Sequence, residues 1–340
     1  LSAFSKYSRL YRLHLLRRRL QLRALRKGRE LHRVTDHTKA IKPRDVLLLT
    51  TLRNERLRLP YFLDYYRRLG VGHFLIIDNG SDDGSKDYLA AQPDVSLWST
   101  WHSYAYSRAG MDWINAIARR YGVGHWLLYS DVDEFLIYPF CDTRPLPALI
   151  DWLDEAGIQS IAAMLLDMYP KGEIAKRPYT AGQNPFEIAA WFDSGNYTIS
   201  RNAKFGNLWI QGGPRARVFF ADEPQNAPAL NKIPLVKWRR NFVFASSSHM
   251  LLPSQLNKTY DSRGGEQICG CLLHAKFVEP ILAKTAEETL RGEHYAGGRE
   301  YQRYAAGFSK IEDLWSPRSE KYLNWKQLEG LGLISRGNWA

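Results

Sequence analysis

From Asp45 onward, short apolar runs alternate with longer amphipathic stretches. Val46-Leu47-Leu48-Leu49-Thr50-Thr51 reads as a buried strand that ends in the polar loop Leu52-Arg53-Asn54-Glu55. Leu59–Leu69 is amphipathic, carries Pro60 in its first turn and meets Gly70 at its end, which predicts a helix with a defined start and stop. Residues 73–77 form a second strand, closed by Asp78-Asn79-Gly80-Ser81-Asp82-Asp83-Gly84. That turn chemistry lets Asp82 or Asp83 cap a helix over residues 86–91. Residues 95–98 predict a third strand and residues 105–121 a long amphipathic helix. A fourth strand leads to Asp131-Val132-Asp133-Glu134-Phe135. Strands alternating with helices predict βαβ units, an α/β fold and a mainly parallel sheet flanked by helices.

The ends of the chain differ from this body. Residues 1–44 are helix-forming without Pro or Gly before Gly28, and Leu10, Leu13, Leu16 and Leu20 share one face while Leu15, Leu22 and Leu25 lie elsewhere. They hold 14 Lys+Arg against 2 Asp+Glu, a net +12 that equals the charge of the whole chain. Residues 45–340 therefore balance at 33 of each sign, and the basic character belongs to an appendage. Three readings fit it: an anionic membrane surface met by residues 1–33, a nucleic acid, or a solvated or self-docking helix. The balanced body offers no neutralising groove, so nucleic acid is not expected. Residues 279–340 predict helices over Pro280–Arg291 and 299–306 and a Trp-rich tail packed back on the body, with Glu293-His294-Tyr295 bordering the site.

A chain of 340 residues, 45% hydrophobic, can bury a substantial core. The expected division is a basic extension over 1–44, a main domain over 45–278 with halves 45–140 and 141–278, and a helical extension over 279–340. No apolar run is long enough to span a bilayer, and the basic N-terminus lacks the apolar and small-residue segments of a secretory signal. Cys141, Cys269 and Cys271 are an odd number without a zinc spacing, which suits reduced thiols. The expected location is cytoplasmic, peripheral at the inner face of the membrane.

Asp131 and Asp133, spaced i, i+2 at the end of an apolar strand, repel one another when brought together. A hard divalent cation, Mn²⁺ or Mg²⁺, relieves this with oxygen ligands and leaves positions for phosphate. The plain alternative is a pair of strand-end turn residues.

Thr51-Leu52-Arg53-Asn54-Glu55, then Ile76-Ile77-Asp78-Asn79-Gly80-Ser81, then Asp131-Val132-Asp133-Glu134-Phe135 follow successive strands in that order. Together they resemble a GT-A-fold (Rossmann-like) glycosyltransferase of the family 2-like group, in the bacterial subgroup with an Asp-x-Asp-Glu-Phe signature. The match covers about residues 46–138. Looser blocks follow at Gly212-Gly213-Pro214-Arg215-Ala216-Arg217, at Lys232 with Ser247-Ser248-His249, and at Leu272-Leu273-His274-Ala275-Lys276 with Lys284 and Arg291.

The resemblance implies a nucleotide-sugar donor, most simply UDP-linked. Asp133, assisted by Asp131, holds the metal on the diphosphate; Asp78 bonds the base; Asn54 and Glu55 meet the base or ribose. Glu134 orients the sugar or supports Asp131. In this fold a C-terminal histidine completes the metal shell, and His274 is preferred because it follows a buried-looking strand, with His249 as the alternative. Inversion requires a base, for which Glu266, Asp193 and Glu223 qualify by order, although the usual Glu-Asp pair is absent. Arg215 and Arg217, taken as i, i+2 on one strand face, are expected to contact substrate, or else form an ordinary solvent face. Trp191, Trp209, Trp238 and Tyr197 either stack on sugar or fill the core.

The expected reaction moves a sugar from a nucleotide sugar to a hydroxyl of a surface polysaccharide or lipid-linked glycan. Its rivals are a phosphatase with Asp131 as nucleophile, which leaves Glu55 and Asp78 without a role, and a sugar-binding protein that kept the fold without turnover.

Overall fold

In the computed structural model, residues 3–260, 267–291, 293, 299–308 and 313–339 are described. Among them, one sheet of nine strands organises the molecule. Its strands are β1 (His32–Thr35), β2 (Val46–Leu52), β3 (Val71–Asp78), β4 (Val95–Ser99), β5 (Trp126–Tyr129), β6 (Glu134–Ile137), β7 (Ser160–Asp167), β8 (Asn231–Lys237) and β9 (Cys269–His274). In space they run β1-β4-β3-β2-β5-β8-β7-β9-β6.

The expected parallel sheet occupies β4-β3-β2-β5. Beyond β5 the sheet is mixed: β8 is antiparallel to β5 and β7, β9 is parallel to β7, and β6 is antiparallel to β9. Every residue of β2 is buried, as its unbroken apolar run requires. Leu48 and Ile76 enter a core that includes helix α2 (Leu59–Leu69), while Leu47 and Leu75 face helix α4 (Met111–Tyr121) on the opposite side. The fold is α/β with helices on both faces, of the Rossmann-like GT-A kind.

Local signals worked where the chemistry was local. Gly70 ends α2 in the left-handed region at φ 101°. The expected Asp82 or Asp83 cap is not formed: helix α3 (Ser85–Ala90) has Gly84, in the left-handed region, as its N-cap with no side-chain cap. Asp83 Oδ1 instead closes a local turn by accepting from the Ser85 amide at 2.9 Å. The helix expected over 105–121 begins only at Met111, because Arg108, Ala109 and Gly110 all take positive φ and break the helix before it.

The basic extension is docked on the body. Helix α1 (Ala3–Lys27) buries Leu13, Leu20 and Ala24, and Arg23 meets Asp112 of α4 at 2.8 Å. β1, inside the same segment, pairs with β4 and so lengthens the sheet. Leu146–Glu155 forms α5. After β9 come α6 (Pro280–Arg291), α7 (Arg299–Phe308) and α8 (Trp325–Gly330). The tail packs back as expected, with Trp325 and Trp339 against Phe140. The three cysteines are free thiols. Among the described residues, no helix is long and apolar enough to cross a membrane.

Candidate functional site

The chain leaves β5 at the middle of the sheet and re-enters it as β6 at the far edge. Ser130-Asp131-Val132-Asp133 is the turn that makes this crossing, past the ends of the intervening strands. Because β8 runs antiparallel to β5, its start, with Lys232, lies at the same end. In register, His274 of β9 faces Asp167 of β7 on one side and Glu134 of β6 on the other. Topology thus gathers Asp131, Asp133, Glu134, Asp167, Lys232 and His274 at one end of the sheet. Open α/β sheets bind their ligands at such strand ends.

A cleft of about 190 Å³ opens there, with Thr51, Arg53, Glu55, Asn79, Tyr104, Asp131, Asp133, His274, Lys276, Lys284, Glu288, Glu300 and Tyr301 in its wall.

Asp133 Oδ2 and His274 Nε2 stand 3.4 Å apart. On the other side of the ring, His274 Nδ1 lies 2.6 Å from Asp167 Oδ1, and Asp167 Oδ2 accepts from Arg215 Nε at 2.7 Å. This chain orients the imidazole with Nε2 toward the cleft. Burial alone raises the Asp133 carboxyl, but His274, Arg58 and Lys284 hold it well below the usual carboxylate range. The same burial opposes charging His274, and Asp133 and Asp167 overcome it, so its pKa is raised.

Asp131 faces a different cation. Its Oδ1 accepts from the Tyr129 hydroxyl at 2.9 Å, and its Oδ2 is 3.4 Å from Lys232 Nζ. Lys232 is buried and binds Glu134 more closely, at 2.8 Å. Burial pushes the Glu134 carboxyl up, Lys232 pulls it back, and the like charge of Asp131 raises it again. Lys232 therefore neutralises part of the acidic corner from inside the sheet.

At the ends of β2 and β3 the groups are organised around a turn. Asp78 Oδ1 accepts from the amides of Gly80 and Ser81, both at 3.2 Å. Its Oδ2 is buried and has no hydrogen-bond partner among the described residues, an arrangement that costs free energy until a donor arrives. Asn54, at φ 54°, accepts from the Asp82 amide and clamps the turn to the end of β2. Both oxygens of Glu55 are engaged, one by Arg58 at 2.8 Å and the other by Lys284 of α6. Glu55 thus aims cations at the cleft. Glu293 accepts from Ser103 Oγ and the Ala105 amide beside Tyr104, while His294 and Tyr295 lie outside the described residues.

Other expected residues go elsewhere. Arg215 and Arg217 are not on a strand: Arg215–Phe219 is a helical turn following Gly212 and Gly213, both at positive φ. Arg215 is buried on Asp167, and Arg217 makes two 3.0 Å bonds to Asp193. Asp193 also accepts from the Tyr169 hydroxyl and does not line the cleft. Glu223 is on the surface with Arg303. Glu266 lies outside the described residues. His249 packs by Trp209, bonds Asn231 and does not line the cleft. Trp238 is a core residue stacked on Phe244.

Sequence reasoning missed Asp167, Arg58, Tyr104, Glu288, Glu300 and Tyr301. Asp167 carries the same local signal as Asp78 and Asp131, an apolar run ending in Asp. The others come from helices or loops whose pattern does not announce a cleft. Among the described residues, no cluster of three or more His, Cys, Asp or Glu side chains is arranged to hold a metal by itself.

No protein-family model matches the chain. Two curated relatives align with part of it. One is a glycosyltransferase family 92 protein of Ricinus communis, 27% identical over 99 residues, or 29% of this chain and 18% of that protein. The other is a glycosyltransferase family 92 protein of Oryza sativa subsp. japonica, 29% identical over 108 residues, or 29% of this chain and 17% of that protein. The chain spans less than a fifth of the length of these relatives. Among solved structures, a crystal structure of 4-diphosphocytidyl-2C-methyl-D-erythritol synthase aligns with 86% of this chain and 100% of its own, at 12% identity and TM-score 0.25. That likeness is too slight to carry an argument. The relatives bear the family number 92 where the motifs resemble family 2, and glycosyltransferase is the description common to both.

Proposed function

We propose that this protein is a glycosyltransferase that takes a sugar from a nucleotide sugar, UDP-linked in the simplest case, and moves it to a hydroxyl of a surface polysaccharide or lipid-linked glycan. The observation that carries the reading is the meeting of Asp133 and His274, 3.4 Å apart, from sequence positions far from each other. The names of the two partial relatives support the same class.

The donor set fits Mn²⁺ or Mg²⁺. Asp133 offers a carboxylate held in its charged form, and His274 offers Nε2 with its other nitrogen held by Asp167, the usual support for a metal-bound histidine. Two protein ligands suffice where substrate phosphates and water complete the shell. Asp131, partly engaged by Lys232, supports the corner from the side. A cation held there supplies positive charge against the departing diphosphate.

The protein's own groups do the rest. Asp78 lies just behind the cleft wall, where its neighbour Asn79 stands. Its buried Oδ2, unpartnered among the described residues, is suited to accept an N–H from the nucleobase once the turn opens to ligand. Arg53, Lys276 and Lys284 line the cleft and place fixed positive charge where phosphates lie. Tyr104 and Tyr301 give it aromatic walls.

Thermal shift with UDP, with and without Mn²⁺, tests the reading. Stabilisation by UDP that depends on metal and disappears in Asp133→Ala is expected. Equal melting in all conditions removes the donor site, and release of sugar from a donor panel separates an enzyme from a sugar-binding relic.

A further inference from the structure

One face of α1 takes no part in packing, and its pattern is specific. The inner face holds the helix to the body through Leu13, Leu20 and Ala24, through Arg23 on Asp112, and through Arg9 on the Ala203 carbonyl at 2.7 Å. The outer face carries Tyr7, Tyr11, Leu15, Leu22 and Leu25, exposed to 72%, 64%, 50%, 63% and 52%. These positions recur at helical spacing and form one stripe, with Arg18 filling the gap between Leu15 and Leu22. At 1.5 Å per residue the stripe is about 27 Å long. Scattered exposed apolar residues need no explanation, but a continuous stripe on an anchored helix does.

Charge narrows the choice of what covers it. α1 contains nine Lys+Arg and no Asp or Glu. Arg12, Arg19 and Arg26 recur every seventh residue along one edge of the stripe. On the body beside it, Arg119 and Arg240 join Arg17, Arg18 and Gln21 around a hollow of about 410 Å³ that has Leu22 and Leu25 in its wall. A second copy of this helix is a poor occupant, because two surfaces of the same strong sign repel.

We propose that the outer face of α1 is a docking surface for an anionic lipid bilayer. The helix lies flat in the interface, with Leu15, Leu22 and Leu25 and the two tyrosine rings below the headgroups and the arginines extended to phosphate level. The hollow between α1 and Arg240 takes a lipid phosphate, with acyl carbons against Leu22 and Leu25. The inner face stays on the protein, so binding needs no detachment of the helix.

The test uses the full chain, floated with phosphatidylcholine vesicles with and without phosphatidylglycerol. Binding to the anionic vesicles alone is expected, falling as salt rises. The triple variant Leu15→Ala, Leu22→Ala, Leu25→Ala keeps every charge and touches only exposed positions. It should melt like the wild type and bind at least tenfold more weakly. Unchanged binding of that variant, or no preference of the wild type for anionic vesicles, overturns the proposal. So does a wild-type dimer that the triple variant converts to a monomer, or an acidic protein captured in place of lipid. The UDP and Mn²⁺ response is read separately, so failure here leaves the transferase reading standing.

Discussion

His274 Nδ1 lies 2.6 Å from Asp167 Oδ1, and the two residues stand opposite each other in register on adjacent parallel strands. Asp167 in turn binds Arg215, whose side chain is 4% exposed. One carboxylate thus orients the candidate metal-binding imidazole and neutralises a buried guanidinium. Asp167→Ala takes the closer carboxylate from buried Arg215, leaving it Glu300 at 3.5 Å, and is expected to cost about 3–5 kcal/mol in urea unfolding. Asp167→Asn keeps an acceptor for the ring and costs less stability, while Mn²⁺ affinity in the presence of UDP falls about 10–100-fold. If both variants melt and titrate like the wild type, the chain of contacts has no part in the site.

Asp78 and Asp133 are predicted to fail in different ways. Asp133→Ala abolishes the metal-dependent part of UDP binding. Asp78→Ala removes an acceptor for the base and weakens UDP by about 10–100-fold whether or not metal is added. Calorimetric titration of both variants separates the roles, and identical metal dependence in the two contradicts the assignment.

The acid limb of stability has a local source. His249 is pushed down to about 4 by burial and by the nearby Lys232 charge, and His73 is lowered by burial. Below the ordinary value of 6.5 the unfolded chain takes up a proton that folded His249 refuses. Stability is therefore fully present above pH 6.5 and is lost as pH falls toward 4, by on the order of 3 kcal/mol for this residue. The urea midpoint of His249→Asn should fall less steeply than that of the wild type over this window; parallel curves would refute the prediction.

Gly270 sits between Cys269 and Cys271 on β9, where a Cβ would meet the Ile137 carbonyl oxygen of β6 at 2.5 Å. The obstacle is backbone, which yields little. Gly270→Ala is expected to lower stability by about 1–3 kcal/mol. A melting temperature unchanged from wild type means that the β6 edge gives way.

Much of the fold was legible along the chain. The apolar runs of β2, β3 and β5 announce strands buried on both faces, Pro60 and Gly70 bracket α2, and the Asp78 turn carries its own hydrogen-bond donors. Each of these depends on residues close in sequence. The helix over 105–121 was overdrawn because its amphipathic pattern continues through residues whose backbone turns left-handed.

The amino-acid pattern alone determined that an acidic corner closes a buried strand and that a basic helix precedes the body. Tertiary structure decided which groups meet there. It carried β6 to the sheet edge, set His274 rather than His249 beside Asp133, and turned Arg215 inward onto Asp167. It also brought Lys232 beneath Asp131 and Glu134. These pairings join residues far apart in sequence through strand order and register, and such pairings are selected by the shared burial of whole strands, which no short stretch of sequence encodes.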